Sequence, residues 1–232
     1  DNLVKKYNVD QNRVFVIPFQ PLNDIDVQNY NEKELVNTKK KYRIKNKYIF
    51  YPAQFWAHKN HIYILKSLYI LEKKYNINIS AVFSGGDKGN MQNIINYANK
   101  LDIRKKIIFT GFISNIELIS HYKNSIALVM PTYFGPTNLP PYEAFKLGTP
   151  VIYPNLFGLK EQVEDGALLV DLNKPETLAL NLKKILNDKK LRDKLIKKGY
   201  KLSRKFRKYK RLSVLHEIIT NFTNKYHNFQ NY

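Results

Sequence analysis

The chain has 232 residues, enough for one large domain or two small ones with a sizeable core. It contains no cysteine, which excludes disulfides, thiolate metal ligands and a cysteine nucleophile. A net charge of +20 and a pI near 9.8 favour binding to polyanions, without indicating whether these are nucleic acids, anionic membranes or phosphorylated substrates.

The first residues of the chain give few structural signals. Residues 13–18 have a short strand pattern that ends in proline. Asp24 and Asp26 form a D-x-D triplet of the kind that holds Mg or Mn in some sugar transferases, although two aspartates in a loop are more typical of a turn. We expect residues 1–25 to be the tail of an N-terminal domain that is missing here, followed by a linker.

From residue 47 onward, strand and helix patterns alternate. Apolar runs predict strands over 48–51, 77–83, 107–110, 126–130, 151–153 and 167–170. Helical patterns between them cover 60–75, 90–101, 115–122, a short segment from Pro140, and 159–164. This alternation predicts an α/β fold with a parallel sheet, helices on both of its faces, and ligands at the carboxyl ends of the strands. After residue 171 the patterns predict three consecutive helices. We assign 26–206 to one domain of this fold and 207–232 to a C-terminal helix.

The stretch from Met130 to Pro154 reads as a strand, a loop rich in Gly, Pro and Asn, and a helix start. Pro140 and Pro141 suit the first helical turn, where unpaired N–H groups and the helix dipole favour an anion. Glu143 in this turn would repel a bare phosphate, but it would accept hydrogen bonds from hydroxyls next to one, as on a ribose. Taken alone, a plain capped helix start explains the pattern equally well.

Two other loops carry signals of the same kind. Gly85 and Gly86 follow a strand and allow close approach of the backbone to a ligand, although a plain turn explains them and no dinucleotide or P-loop fingerprint is present. Lys59 lies at a helix start, where the dipole disfavours a cation unless an anion is bound. His58 and His61 lack a third ligand, so we interpret them as ordinary histidines rather than a metal site.

Four motifs in this order closely resemble the C-terminal half of bacterial group 1 glycosyltransferases. They are YPAQFWAHKNH at 51–61, FSGGDKG at 83–89, IFTGFI at 108–113 and GPTNLPPYEAFKLGTPVI at 135–152. The resemblance extends over about residues 14–206. It implies one Rossmann-like half of a GT-B fold, and a retaining, metal-independent enzyme that needs no cofactor beyond a UDP- or GDP-linked sugar as substrate.

The resemblance also implies roles for individual residues. Lys59 would contact the donor phosphates and Glu143 the ribose hydroxyls, and these two are the predicted catalytic residues. The backbone of Asn138 and Leu139 would bind the diphosphate or sugar, and Gly111, Phe112 and Ile113 would border the base with Gly85 and Gly86 below it. Two donor-facing positions depart from the family: Gln54 replaces an arginine, and Gly135 replaces the first glutamate of an E-x7-E pair.

We therefore predict the donor-binding half of a bacterial polysaccharide or lipid-linked glycan transferase, inactive in transfer by itself. The expected location is cytoplasmic. No nucleic-acid partner is expected, but the basic segment 197–211 predicts peripheral contact with an anionic membrane or, as the plainer reading, a solvated helix face. The alternatives are a GT-B-type nucleotide-sugar epimerase and a basic nucleic-acid-binding domain.

Overall fold

The computed structural model describes residues 2–17, 35, 37–135, 138–207 and 211–230. The chain forms two compact units, one of residues 21–204 and one of residues 1–20 with 205–232. The second unit contains α1 (Asn2–Tyr7), a 3₁₀ turn (Gln11–Arg13) and α10 (Arg211–Gln230). The predicted domain boundaries stay a prediction.

The larger unit is built on a six-stranded parallel sheet, which confirms the predicted fold class. Its strands are β1 Tyr48–Pro52, β2 Ser80–Ser84, β3 Ile107–Gly111, β4 Leu128–Val129, β5 Val151–Pro154 and β6 Ala167–Val170. Their order is β3-β2-β1-β4-β5-β6, and all neighbours run parallel. The chain moves outward from β1 to β3 and then returns to place β4 beside β1. A sheet whose strand order reverses in this way has a crevice at the carboxyl ends of the two central strands.

Helices separate the strands, and both faces of the sheet are covered. In this unit the described helices are α2 Thr38–Lys41, α3 His61–Tyr75, α4 Met91–Lys100, α5 Asn115–Asn124, α6 Pro140–Leu147, α7 Lys160–Val163, α8 Pro175–Asn187 and α9 Lys189–Arg207, whose last three residues are grouped with the other unit. Residues 48–51 of β1 alternate between the two faces and are all completely buried. Such a strand, apolar on both faces, is typical of the centre of a parallel α/β sheet.

Several predicted boundaries differ from the observed ones. The strand predicted at 13–18 is wrong for the residues described: Val14 has an extended backbone, but no described strand pairs with residues 13–17. A strand without a neighbour has no partner for its ladder hydrogen bonds. The short helices α1 and α2 had no prediction, and Asp24 and Asp26 lie outside the described residues.

Candidate functional site

The loops at the carboxyl ends of β1, β2 and β3 are joined by backbone hydrogen bonds. The N–H of Ala53 donates to Ser84 O (2.8 Å), that of Phe55 to Gly86 O (3.0 Å), and that of Gly85 to Gly111 O (3.0 Å). These bonds hold predicted donor-binding positions of three loops in one surface. Gln54 is exposed in this surface, and its Oε1 accepts a hydrogen bond from Trp56 Nε1 (3.0 Å).

Gly85 and Gly86 are needed for packing between the loops. A Cβ on Gly85, whose φ is +149°, would lie 2.5 Å from Ala53 O, and a Cβ on Gly86 would lie 3.0 Å from the Phe112 ring. The space that these glycines leave is thus filled by the protein itself. Gly111, with φ of +69°, faces open space, Phe112 is 80% exposed and Ile113 is half-buried. A side of Gly111 therefore faces solvent rather than protein.

Lys59 is a half-buried cation at the end of the loop after β1. It completes a 3₁₀ turn, Ala57–Lys59, and Asn60 follows in the left-handed conformation before α3 begins without a side-chain cap. Burial lowers the pKa of Lys59, and none of the ion pairs among the described residues includes it. A desolvated ammonium without a carboxylate partner is suited to an anionic ligand.

The two histidines beside Lys59 are enclosed by aromatic rings. His61 is completely buried between Tyr51, Phe55 and Phe83. Its pKa is lowered to about 3, mainly by burial and to a smaller extent by the charge of Lys59. Within the described part of the chain, neither ring nitrogen of His61 has a hydrogen-bond partner. The same part contains no group of three or more metal-ligating side chains. Metal independence nevertheless stays a prediction.

Asn138 is buried in the described part of the loop after β4 and bonds to two of its neighbours. Its Nδ2 donates to Gly135 O (3.1 Å) and to the hydroxyl of Tyr153 (2.5 Å). A Cβ on Gly135, whose φ is +157°, would overlap Asn138 Oδ1. A glutamate at position 135 would therefore collide with Asn138. The position of Asn138 thus explains why glycine stands where the family pattern has a glutamate.

Among the described residues, the start of α6 offers two backbone N–H groups that are not already hydrogen-bonded. Pro140 and Pro141 have no N–H, and the N–H groups of Tyr142 and Glu143 both donate to Leu139 O. Among the described residues, the N–H groups of Asn138 and Leu139 have no acceptor. The predicted anion-binding donors are thus reduced to these two, because Pro140 and Pro141 lack an N–H and Tyr142 and Glu143 already donate to Leu139 O.

Glu143 is half-buried in the first turn of α6, and Tyr122 holds one of its oxygens. The Tyr122 hydroxyl, itself completely buried, donates to Glu143 Oε2 (2.7 Å). Burial raises the pKa of Glu143, and the hydrogen bond from Tyr122 opposes this increase. Oε1 has no partner within the described residues, so one carboxylate oxygen remains available. No pattern in the sequence indicates Tyr122, because its partner is 21 residues away along the chain.

The loops after β1 and β4 meet across the reversal of strand order. The backbone oxygen of His58 accepts from Tyr133 N (3.0 Å) and from Thr132 Oγ1 (3.3 Å), and Thr132 Oγ1 also lies 2.7 Å from Phe134 O. The predicted residues all lie at the ends of strands, in the loops that follow them, or in the first turn of α6. Lys59 and Glu143 belong to the two connections that flank the switch point, where this class of sheet binds its ligands.

This fold defines an α/β protein with a Rossmann-like parallel sheet, and its candidate site lies at the carboxyl ends of the strands. The model of the family "Glycosyl transferases group 1" matches residues 33–202. The chain therefore belongs to the group 1 glycosyltransferases, and the resemblance of the four motifs is confirmed at the level of the family.

Known proteins show the same similarity in sequence and structure. The chain is 28% identical over 171 residues to the O-antigen chain mannosyltransferase RfbU of Salmonella typhimurium, which covers 74% of this chain and 44% of that protein. A glycosyltransferase structure from Rickettsia africae has a TM-score of 0.72 at 21% identity, covering 95% of this chain and 61% of the other. Anabaena Alr3699/HepE, in complex with UDP-glucose, has a TM-score of 0.69 at 14% identity, covering 89% and 56%. The chain spans about half the length of the curated relatives it matches first.

Proposed function

We propose that this chain holds a nucleoside-diphosphate sugar for retaining transfer of a hexose to a polysaccharide or lipid-linked glycan. The observation that carries the proposal is the placement of Lys59 and Glu143 in the two connections that flank the strand-order reversal. Among the described residues, Lys59 has no carboxylate partner and Glu143 Oε1 accepts no hydrogen bond. The HepE complexes with UDP and with UDP-glucose support a nucleotide sugar as the ligand. The relative named as a mannosyltransferase supports a hexose.

In the proposed mechanism the donor diphosphate lies between Lys59 and the N–H groups of Asn138 and Leu139. These groups stabilise the charge that develops as the bond between the anomeric carbon and the phosphate oxygen breaks. Glu143 Oε1 accepts hydrogen bonds from the ribose and so fixes the nucleotide. The acceptor hydroxyl attacks from the face that the nucleotide leaves and passes its proton to the departing phosphate oxygen, so the configuration is retained.

Because the relatives are about twice as long, we assign the main acceptor contacts to a further domain. The 232-residue chain should then bind nucleotide but not catalyse glycosyl transfer. A GT-B-type epimerase would use the same donor site, and it would convert the nucleotide sugar without an acceptor. Detectable transfer by the purified chain would contradict the division of roles.

The test of the donor site is calorimetric titration with UDP, GDP, ADP and their sugars. We expect binding of at least one of these, and a loss of about 1–3 kcal/mol in Lys59→Ala, the value of a charge-assisted hydrogen bond. Lys66→Ala, at an exposed position of α3, is the matched control and should bind like the wild type. Equal affinity in Lys59→Ala and wild type would refute the role of Lys59.

We also propose peripheral contact with an anionic membrane through one face of α9. Lys190, Lys194, Lys197, Lys201 and Arg204 are exposed and follow a spacing of four and three residues, which places them on one side of the helix. Lys198 lies off this face and pairs with Asp165 (2.6 Å). Within the described residues, none of the helices has the length and hydropathy that a membrane span requires.

Vesicle co-sedimentation tests this contact, because each cation near an anionic surface contributes about 1 kcal/mol. Binding at low salt should be lost at high salt and in a variant with Lys194, Lys197, Lys201 and Arg204 changed to Gln. A control with the same change of charge, at exposed Lys45, Lys100, Lys105 and Lys160, should still bind. Equal sedimentation of the two variants would contradict the membrane contact and show that this side of α9 is only a solvated helix face.

A further inference from the structure

Exposed aromatic side chains are concentrated at the carboxyl edge of the sheet. In the described part of the 21–204 unit, the strongly exposed aromatic residues are Trp56, Phe112, Tyr133, Phe134, Phe157 and Tyr200. All except Tyr200 lie in the loops that follow β1, β3, β4 and β5. Exposed apolar surface costs free energy in water, so its concentration at one edge indicates a binding surface.

Three of the rings at this edge form a continuous stack. The His58 and Phe134 rings are 4.3 Å apart between centroids with an angle of 19°, and the Trp56 and His58 rings are 6.4 Å apart with an angle of 23°. We call Trp56, His58 and Phe134 the ring stack. It lies directly beside the proposed diphosphate site, since His58 and Lys59 belong to the same 3₁₀ turn.

Hydrogen bonds from the backbone, from Thr132 and from the indole N–H hold the ring stack in place. Tyr133 N and Thr132 Oγ1 both donate to the backbone of His58, which fixes the loop of Phe134 against the loop of Trp56. The indole N–H of Trp56 donates to Gln54 Oε1, so this end of the stack is anchored as well. Phe134 is 59% exposed, whereas Trp56 is 44% exposed and has Lys88 Nζ 5.9 Å from its ring centroid, so the ring surface open to a ligand is larger at Phe134.

We propose that the ring stack binds one pyranose ring of the acceptor glycan, an inference that rests on the proposed transferase function. The C–H groups on one side of a pyranose carry a weak positive charge, and they match the negative face of an aromatic ring. The amide of Gln54 and the hydroxyl of Tyr133 belong to the same two loops and supply partners for sugar hydroxyls. A sugar at this position lies next to the donor diphosphate, where the acceptor hydroxyl is needed.

The single Trp of the chain gives a direct probe of this surface. The indole N–H of Trp56 produces one signal in a ¹H–¹⁵N correlation spectrum of the full chain. We would titrate methyl α-mannoside, methyl α-glucoside and the corresponding α-linked disaccharides, each with and without saturating nucleoside diphosphate. The expected result is a saturable shift with millimolar affinity for at least one saccharide, retained when the nucleotide is present.

Two variants separate the ring stack from the rest of the edge. Phe134→Leu keeps the probe but removes one ring, and it should weaken saccharide binding at least about fivefold, or about 1 kcal/mol. Phe157→Leu, also exposed at this edge but outside the stack, should bind like the wild type. Equal affinity in Phe134→Leu and wild type would overturn the proposal.

Two further outcomes would also overturn it. Saccharides that bind only without nucleotide would place them in the donor site, and no shift with any saccharide would leave the rings as a surface covered by another protein segment. Failure of the donor proposal is distinguishable, because it is tested by nucleotide titration in the absence of saccharide. Nucleotide binding without saccharide binding would remove the ring-stack assignment alone.

Discussion

Glu117 and Glu143 lie in the first turns of α5 and α6, and their surroundings differ sharply. Glu117 completes a capping box in which its Oε2 accepts from the N–H and hydroxyl of Ser114, while its Oε1 accepts from Lys41 and Tyr42. Among the described residues, Glu143 accepts from Tyr122 only. Both carboxylate oxygens of Glu117 are therefore hydrogen-bonded within the protein, whereas Glu143 keeps one oxygen available to a ligand.

The two pKa values move in opposite directions for this reason. Burial by itself raises the pKa of both groups, but at Glu117 the hydrogen bonds from Lys41, Tyr42 and Ser114 outweigh burial and bring the pKa to about 2. At Glu143 the one bond from Tyr122 does not outweigh it, and the pKa stays raised. A saturated acid stabilises the fold, whereas an acid held at a cost to the fold is a candidate for binding.

The largest expected effect that distinguishes the two glutamates is on folding. Glu117→Ala should lower the free energy of unfolding by about 3 kcal/mol, because it removes a helix cap and leaves Tyr42 and Lys41 without their acceptor. Urea denaturation measures this loss. Glu176→Ala, at an exposed first-turn glutamate of α8, is the control and should change stability by less than about 0.5 kcal/mol. A similar loss in both variants would show that the hydrogen bonds of Glu117 contribute nothing specific.

The same carboxylate should make stability dependent on acid pH. The pKa of Glu117 is about 2 in the folded chain against an ordinary value of 4.5, so its contribution is present above pH 4.5 and is lost as pH falls from there toward 2. We expect about 2 kcal/mol from this source, less than the full shift implies, because the Lys41 side chain is half exposed. Denaturation curves of wild type and Glu117→Gln across this range should converge at low pH. Parallel curves would contradict the assignment.

Glu143 should show the reverse pattern, in which function is lost and stability is not. Glu143→Gln should weaken nucleoside-diphosphate binding by about 1–2 kcal/mol, because an amide accepts the ribose hydrogen bonds less strongly than a carboxylate. A raised pKa means that the ionised group costs stability as pH rises through it, so the variant should be as stable as wild type at neutral pH, or slightly more stable. Calorimetry and urea denaturation on the same samples measure both effects. Lower stability with unchanged affinity would make Glu143 a structural residue like Glu117.

The sequence predicted the sheet and the position of Glu143, but not what surrounds this glutamate. Buried strands such as residues 48–51 are recognisable because a central parallel strand is apolar on both faces. The bond from Tyr122 joins two separate helices, and the contact between Gly135 and Asn138 depends on the conformation of an irregular loop; periodicity encodes neither. The strand predicted at 13–18 failed for a related reason, since pairing requires a neighbour that local sequence cannot supply.

The smallest expected effect concerns Tyr122, which we infer positions Glu143 rather than contacting the donor. Tyr122→Phe removes the hydrogen bond that opposes the raised pKa, so Glu143 should become protonated at a higher pH than in wild type. Donor affinity at neutral pH should fall by about 0.5–1 kcal/mol, and its decrease toward acid pH should begin earlier. Titrations of the nucleotide at several pH values measure this shift. Tyr48→Phe removes another buried hydroxyl, whose partners are Thr38 and His121, and serves as the control because Glu143 is not among these partners. If Tyr122 had a purely structural role, both variants would lose stability and the pH dependence of binding would stay unchanged. A shifted pH dependence in Tyr122→Phe alone requires that the Tyr122 hydroxyl lowers the pKa of Glu143.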